Sequence, residues 1–187
     1  MAFLYSKINR RILLSLIVAW GITSFWLVNQ AGFARILISL VGALCLVFVW
    51  AEIAPIFLLI FSSFSVSYAL YGFLFQFGLP IWLIMLAILI IFGYLFVYTE
   101  QKIGILGDKR LIYLILFSII TLEVFLSLNY FLISPISKSL IIATSSYVFV
   151  GFCYTILAKH TDNKFTTYLA IAAAVITVIF MTSIWGT

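Results

Sequence analysis

Residues 80–98 read PIWLIMLAILIIFGYLFVY, a run without one charged side chain. A bilayer's hydrocarbon core is about 30 Å thick and an α-helix rises about 1.5 Å per residue, so roughly 20 apolar residues cross it. This run has that length. Lipid offers an unpaired backbone group no hydrogen-bond partner, so the crossing must be a helix. The next residues, TEQKIGILGDKR (99–110), carry Glu100, Lys102, Asp108, Lys109 and Arg110. An uncharged run closed by a charged turn is the unit from which the rest of the chain is read.

Applied outward, the same reading predicts seven spans: 12–28, 33–50, 55–75, 80–98, 111–133, 136–158 and 165–185. Residues 33–75 are about twice one crossing, so they divide, and Glu52 and Pro55 mark the break; a re-entrant half-span is the alternative there. Pro55 and Pro80 stand where helices begin, a position that suits a residue lacking an N–H. Pro135 separates the fifth and sixth spans and biases Ser134 away from helical geometry. The expected fold is all-α: a single bundle of seven transmembrane helices over residues 1–187, with no soluble domain. The composition agrees, since 66% of residues are hydrophobic and 8% charged, against about 25% charged in soluble domains.

The basic residues give an orientation. With the N-terminus in the cytoplasm, Lys7, Arg10, Arg11, Lys102, Lys109, Arg110, Lys159 and Lys164 lie inside, and only Arg35 and Lys138 outside. This is the positive-inside bias, and seven spans put the C-terminus outside. Arg10 and Arg11 before an apolar run resemble a signal peptide, but the run is long and contains Trp20 and Trp26, so an uncleaved helix is expected. Trp26, Trp82 and Trp185 fall at the outer boundary, and Trp50, Tyr98, Tyr113 and Tyr168 at the inner one, as amphipathic rings prefer. Trp20 lies mid-span and should pack against a neighbouring helix. Ile, Lys, Asn and Tyr usage points to an AT-rich prokaryotic genome and hence to a plasma membrane. The first and fifth spans share a basic start and a Phe-x-x-x-Asn ending (Phe25 to Asn29, Phe125 to Asn129), a thin echo of a parallel repeat.

The net charge of +5 does not indicate nucleic acid, because the cations are scattered over loops rather than gathered in a patch. Cys45 and Cys153 lie inside spans and read as packing residues. No metal or cofactor is implied: one His in a loop gives no haem pair, and the seventh span has no Lys for a retinal Schiff base. No G-x-S-x-G, H-E-x-x-H or Walker pattern occurs, and Gly104 and Gly107 read as turn formers.

Glu123 asks for an explanation. It falls near the centre of the fifth span, about 18 Å from Leu111 at 1.5 Å per residue. An ionisable group at a membrane's centre costs about 2.5–3.5 kcal/mol on insertion scales, so it seldom faces lipid. Ser127, Tyr130 and Ser134 follow at helical spacing and extend a polar stripe toward the outer surface. Ser63, Ser67 and Tyr71 share a face of the third span, Thr144 to Tyr147 form a hydroxyl-rich patch in the sixth, and Ala170, Ala172, Ala173 and Ala174 give the seventh a small-residue face suited to close contact. The candidate ligand- or proton-binding set is therefore Glu123, Ser127, Tyr130, Ser63, Ser67 and Tyr147, and its bland counterpart is a set of interhelical hydrogen bonds. Glu52 is expected to cap the third helix, and His160 to be a solvated loop residue.

Three functions compete. The first is a non-catalytic subunit or scaffold of a membrane assembly, partnered by lipid and by other membrane subunits or further copies of itself. The second is a small transporter or channel with Glu123 on its pathway. The third is an intramembrane enzyme acting on a lipid-linked substrate, for which Glu52, Glu100, Asp108 and His160 are the available titratable groups and no nucleophile–base pair is evident.

Overall fold

The computed structural model describes residues 7–29, 32–103, 110–157 and 164–184. They form seven helices: α1 (Lys7–Val28), α2 (Gly32–Ala51), α3 (Pro55–Gln76), α4 (Ile81–Ile103), α5 (Arg110–Asn129), α6 (Pro135–Leu157) and α7 (Lys164–Ile184). Six of them, α1 to α6, are long and apolar enough, by length and composition, to cross a membrane.

The break between α2 and α3 is a backbone device. The Ile53 N–H donates to the Phe48 carbonyl oxygen at 3.2 Å and the Glu52 N–H to that of Val49 at 3.4 Å. This is the Schellman ending of a helix, which needs a left-handed residue after the last helical one and usually takes Gly there. Here the residue is Glu52, at φ 58°, and Ala54 follows at φ 51°. Pro55 then opens α3 at a position where the missing N–H leaves no bond unmade. The joint is a tight hairpin, and the helices on either side, 20 and 22 residues long, each have the length of a full crossing. Between α3 and α4, Gly78 supplies the left-handed turn at φ 62°, and the Pro80 carbonyl accepts the N–H groups of Leu83 and Ile84.

Two predicted ends move. The fourth helix continues past Tyr98 to Ile103, since neither Thr99, Glu100, Gln101 nor Lys102 breaks a helix. The fifth stops at Asn129 rather than Ile133, closing with Tyr130 N–H to the Ser127 carbonyl and Phe131 N–H to that of Leu128, both 3.2 Å. Ser134 therefore does not extend the Glu123 stripe. It caps α6, where its Oγ accepts the Ser137 N–H at 3.2 Å.

α3 is the hub. Thirteen of its 22 residues are buried, against four of 20 in α2 and four of 20 in α5, and α3 packs on α1, α2, α4 and α6. Against α1 the approach is so close that a β-carbon on Gly21 would lie 2.6 Å from the Ser65 Cβ. Trp20 stacks on Phe73 of α3 at 5.8 Å. Phe96, Phe117 and Phe149 join α4, α5 and α6, with ring centres 4.9, 5.2 and 5.9 Å apart. α6 packs on both α5 and α7, but α5 and α7 do not pack on each other among the described residues.

Candidate functional site

The start of α1, the α2–α3 joint, the end of α4 and the start of α5 meet at one end of the bundle, and ion pairs hold them there. Glu52 accepts from Arg11 of α1 through Nε at 3.1 Å and Nη2 at 2.8 Å, and from Lys102 Nζ of α4. Arg110 pairs with Glu100 at 3.0 Å. Arg10 donates to Gln101 Oε1 at 2.6 Å, and the Tyr94 hydroxyl to the Arg10 carbonyl at 3.0 Å. The Glu52 carboxylate, bonded by Lys102 and then Arg11, is held down at a pKa of about 2 against an ordinary 4.5. This corrects the expectation that Glu52 caps α3: the residue before that helix is Ala54, with no side-chain cap bond. Two of the three carboxylates considered for catalysis, Glu52 and Glu100, are thus engaged in ion pairs. Gly104, Gly107, Asp108, Lys109, Lys159, His160 and Trp185 lie outside the described residues.

The opposite end of the bundle holds a buried lysine. Lys138, in the first turn of α6, is 4% exposed. Its ammonium lies 4.8 Å from the Phe75 ring centre and 5.5 Å from that of Tyr71, and none of the ion pairs among the described residues includes it. Nothing in the local sequence distinguishes Lys138 from an ordinary loop cation; its aromatic partners come from α3, some 60 residues away.

The interior is lined with hydroxyls. Ser62, Ser63, Ser65 and Ser67 are fully buried on α3. Ser67 donates to the Ser63 carbonyl at 2.7 Å, and the hydroxyls of Ser62, Ser63 and Ser65 find no partner among the described residues. Thr121 of α5 and Ser139 and Ser146 of α6 are also buried; sequence reading passes over them because isolated hydroxyls in apolar helices are common. Tyr147 leaves this interior and packs on Tyr168 of α7, ring centres 5.0 Å apart.

Glu123 stands elsewhere. It is exposed on the outer face of α5, as is Ser127, and Tyr130, in the turn just past the helix, is exposed too; Glu123 forms no hydrogen bond or ion pair with any described residue. Because α5 ends at Asn129, Glu123 is six residues from that end, or about 9 Å, and so nearer to it than the span 111–133 implies. Helical side chains lean toward the helix N-terminus, which here directs the carboxyl away from the nearer end. The six candidate residues therefore do not converge: Glu123, Ser127 and Tyr130 are outside, Ser63 and Ser67 are in the core, and Tyr147 is at the α6–α7 contact.

Beside Glu123 runs a groove of about 670 Å³, floored by α6 and walled by α5 and α7. Leu116, Ile120 and Val124 line it from α5, Thr144, Ser145 and Phe149 from α6, and Leu169, Ala172, Ala173 and Ile176 from α7. Its two hydroxyls turn inward onto their own helix, Thr144 to the Leu140 carbonyl and Ser145 to that of Ile142, both 2.8 Å, so the walls are effectively apolar. The alanine face expected to make a tight contact is only partly used. Ala172 is buried, Ala170, Ala173 and Ala174 are exposed, and α7 comes close to α6 at Gly151, where a β-carbon would lie 2.6 Å from the Tyr168 ring. Cys45 and Cys153 are buried free thiols, and the described residues contain no cluster of three metal-ligating side chains.

No protein-family model matches the chain, and no curated protein or solved structure is similar enough to it to bear on its function.

Proposed function

We propose that this chain is a non-catalytic subunit of a membrane assembly, crossing a plasma membrane seven times with its N-terminus in the cytoplasm. The observation that carries the reading is the outward position of Glu123. A carboxyl on the lipid-facing side of a helix is costly where only acyl chains surround it, and a neighbouring protein removes that cost. The ion pairs at the Arg11 end and the apolar groove along α5 and α7 support the same reading, since Glu52 and Glu100 are spent on the chain's own architecture and the groove offers an apolar surface. A transporter would need Glu123 on a hydrated path and an enzyme a nucleophile beside a base; the outward carboxyl and the paired Glu52 and Glu100 support neither. The test is the protein mass of the particle extracted from native membranes in mild detergent, by light scattering. A subunit elutes above the 21.2 kDa of the single chain with a partner at fixed stoichiometry; a particle of one chain alone refutes the proposal. Tags at the two termini, probed in sealed vesicles, test the topology separately.

A further inference from the structure

The groove and Glu123 are adjacent. Ile120 and Val124 line the α5 wall, and Glu123 and Ser127 each stand three residues beyond one of them, which places both polar groups along the lip. We infer that this groove is the seat of one transmembrane helix of a different protein, which carries a lysine or arginine facing Glu123. The inference rests on the subunit reading above and adds to it the site and the chemistry of the partner.

The shape and the charge each contribute. α6 floors the groove while α5 and α7 stand apart on either side, the position that a fourth helix takes when its ridge of side chains settles between two neighbours. Ala172 and Ala173 on one wall let its backbone come close. A lipid tail would also fill an apolar channel, but it offers no donor to the carboxyl at the lip. A helix with a basic side chain at that level satisfies both the groove and Glu123, because a carboxylate and an ammonium or guanidinium within about 4–6 Å favour each other's charged forms. A second copy of this chain does not supply that donor. Lys138 of α6 is buried against Tyr71 and Phe75, and Arg35 of α2 is engaged by the Asn29 carbonyl and the Trp26 ring.

The experiment uses the full chain in its native membrane, with a photoreactive side chain at Leu116 inside the groove or, as control, at the exposed Leu40 of α2. The expected result is a protein adduct from Leu116 and none from Leu40. Its cross-linked peptide maps to an apolar segment containing Lys or Arg. Glu123→Leu should abolish the adduct without lowering the melting temperature of the purified chain, because Glu123 is exposed and forms no hydrogen bond or ion pair with any described residue. Ala173→Phe, which fills the groove from an exposed position, should abolish it independently of the carboxyl. An adduct with a second copy, an adduct with lipid alone, a partner segment without a basic residue, or an adduct that survives Glu123→Leu overturns the inference. If the partner co-purifies but cross-links only from Leu40, the docking site is refuted and the subunit reading stands. If no partner co-purifies, both fall.

Discussion

The ring of Tyr71 lies on that of Phe125 at 4.2 Å and 10° from parallel, and its hydroxyl donates to the Phe125 carbonyl oxygen at 3.0 Å. α3 and α5 do not pack backbone against backbone, so this aromatic pair bridges a gap that smaller side chains would leave open. Tyr71→Phe keeps the stack and loses the hydrogen bond, a cost of about 0.6 kcal/mol in a membrane interior. Tyr71→Ala empties the gap and should cost about 3–5 kcal/mol, as aromatic-to-alanine changes in cores do. Thermal unfolding in detergent should show a small fall for the first variant and a large one for the second; equal falls would place the energy in the hydroxyl.

Glu52 gives the chain an acid-sensitive joint. Its folded pKa of about 2 lies below the ordinary 4.5, so the native state holds fewer protons than the unfolded state between those values. The stabilisation is complete above about pH 4.5 and is lost as pH falls through the window toward 2. The melting temperature of the wild type should drop across that range, and Glu52→Gln should flatten the drop while lowering stability at neutral pH. Raised salt should weaken the wild type in the same direction, because the three side chains are partly exposed.

Gly21 sets two opposing effects against each other. Alanine is a better helix former by about 1 kcal/mol, but its β-carbon would meet Ser65 Cβ at 2.6 Å, and overpacking of this kind costs about 1–3 kcal/mol. The contact is to a side-chain root that cannot swing aside, so the clash prevails. Gly21→Ala should lower the melting temperature, and adding Ser65→Gly should restore it.

Lys138 is held by rings rather than by a counter-charge. A desolvated cation–π contact is worth about 2 kcal/mol, while burying an ion costs several kcal/mol. Lys138→Met keeps the length of the side chain and removes the charge. It should raise the melting temperature, and Lys138→Ala should lower it by opening space beside Tyr71 and Phe75. A lower melting temperature for the methionine variant would mean that the ammonium is stabilising where it is.

The helices were legible because a bilayer imposes length and because Pro55 and Pro135 punctuate the chain. What sequence could not give was direction. In a soluble helix the polar side faces water, so a face can be read from its periodicity. α5 is apolar almost all round, and the same Leu and Ile residues serve a core or lipid equally well. Nothing local therefore fixes whether Glu123 points in or out; the outcome depends on Phe117, Thr121 and Phe125 taking the buried side. The partners of Glu52 were hidden for a different reason. Arg11 and Lys102 lie 41 and 50 residues away, and Lys102 becomes available only because α4 runs one turn farther than its apolar run. The stripe through Ser134 failed at Asn129, where the chain leaves the helix before Pro135 requires it.

The carboxylate at the α2–α3 joint also imposes an order on biosynthesis. Glu52 sits in a left-handed conformation that favours glycine, and one of the two cations holding it comes from the end of α4. A nascent chain arrested before Lys102 leaves this bend gripped from one side, and one arrested just beyond it closes the clasp while α5 to α7 are still unmade. Protease susceptibility near residue 52 in arrested chains should fall abruptly once Lys102 has cleared the ribosome and translocon.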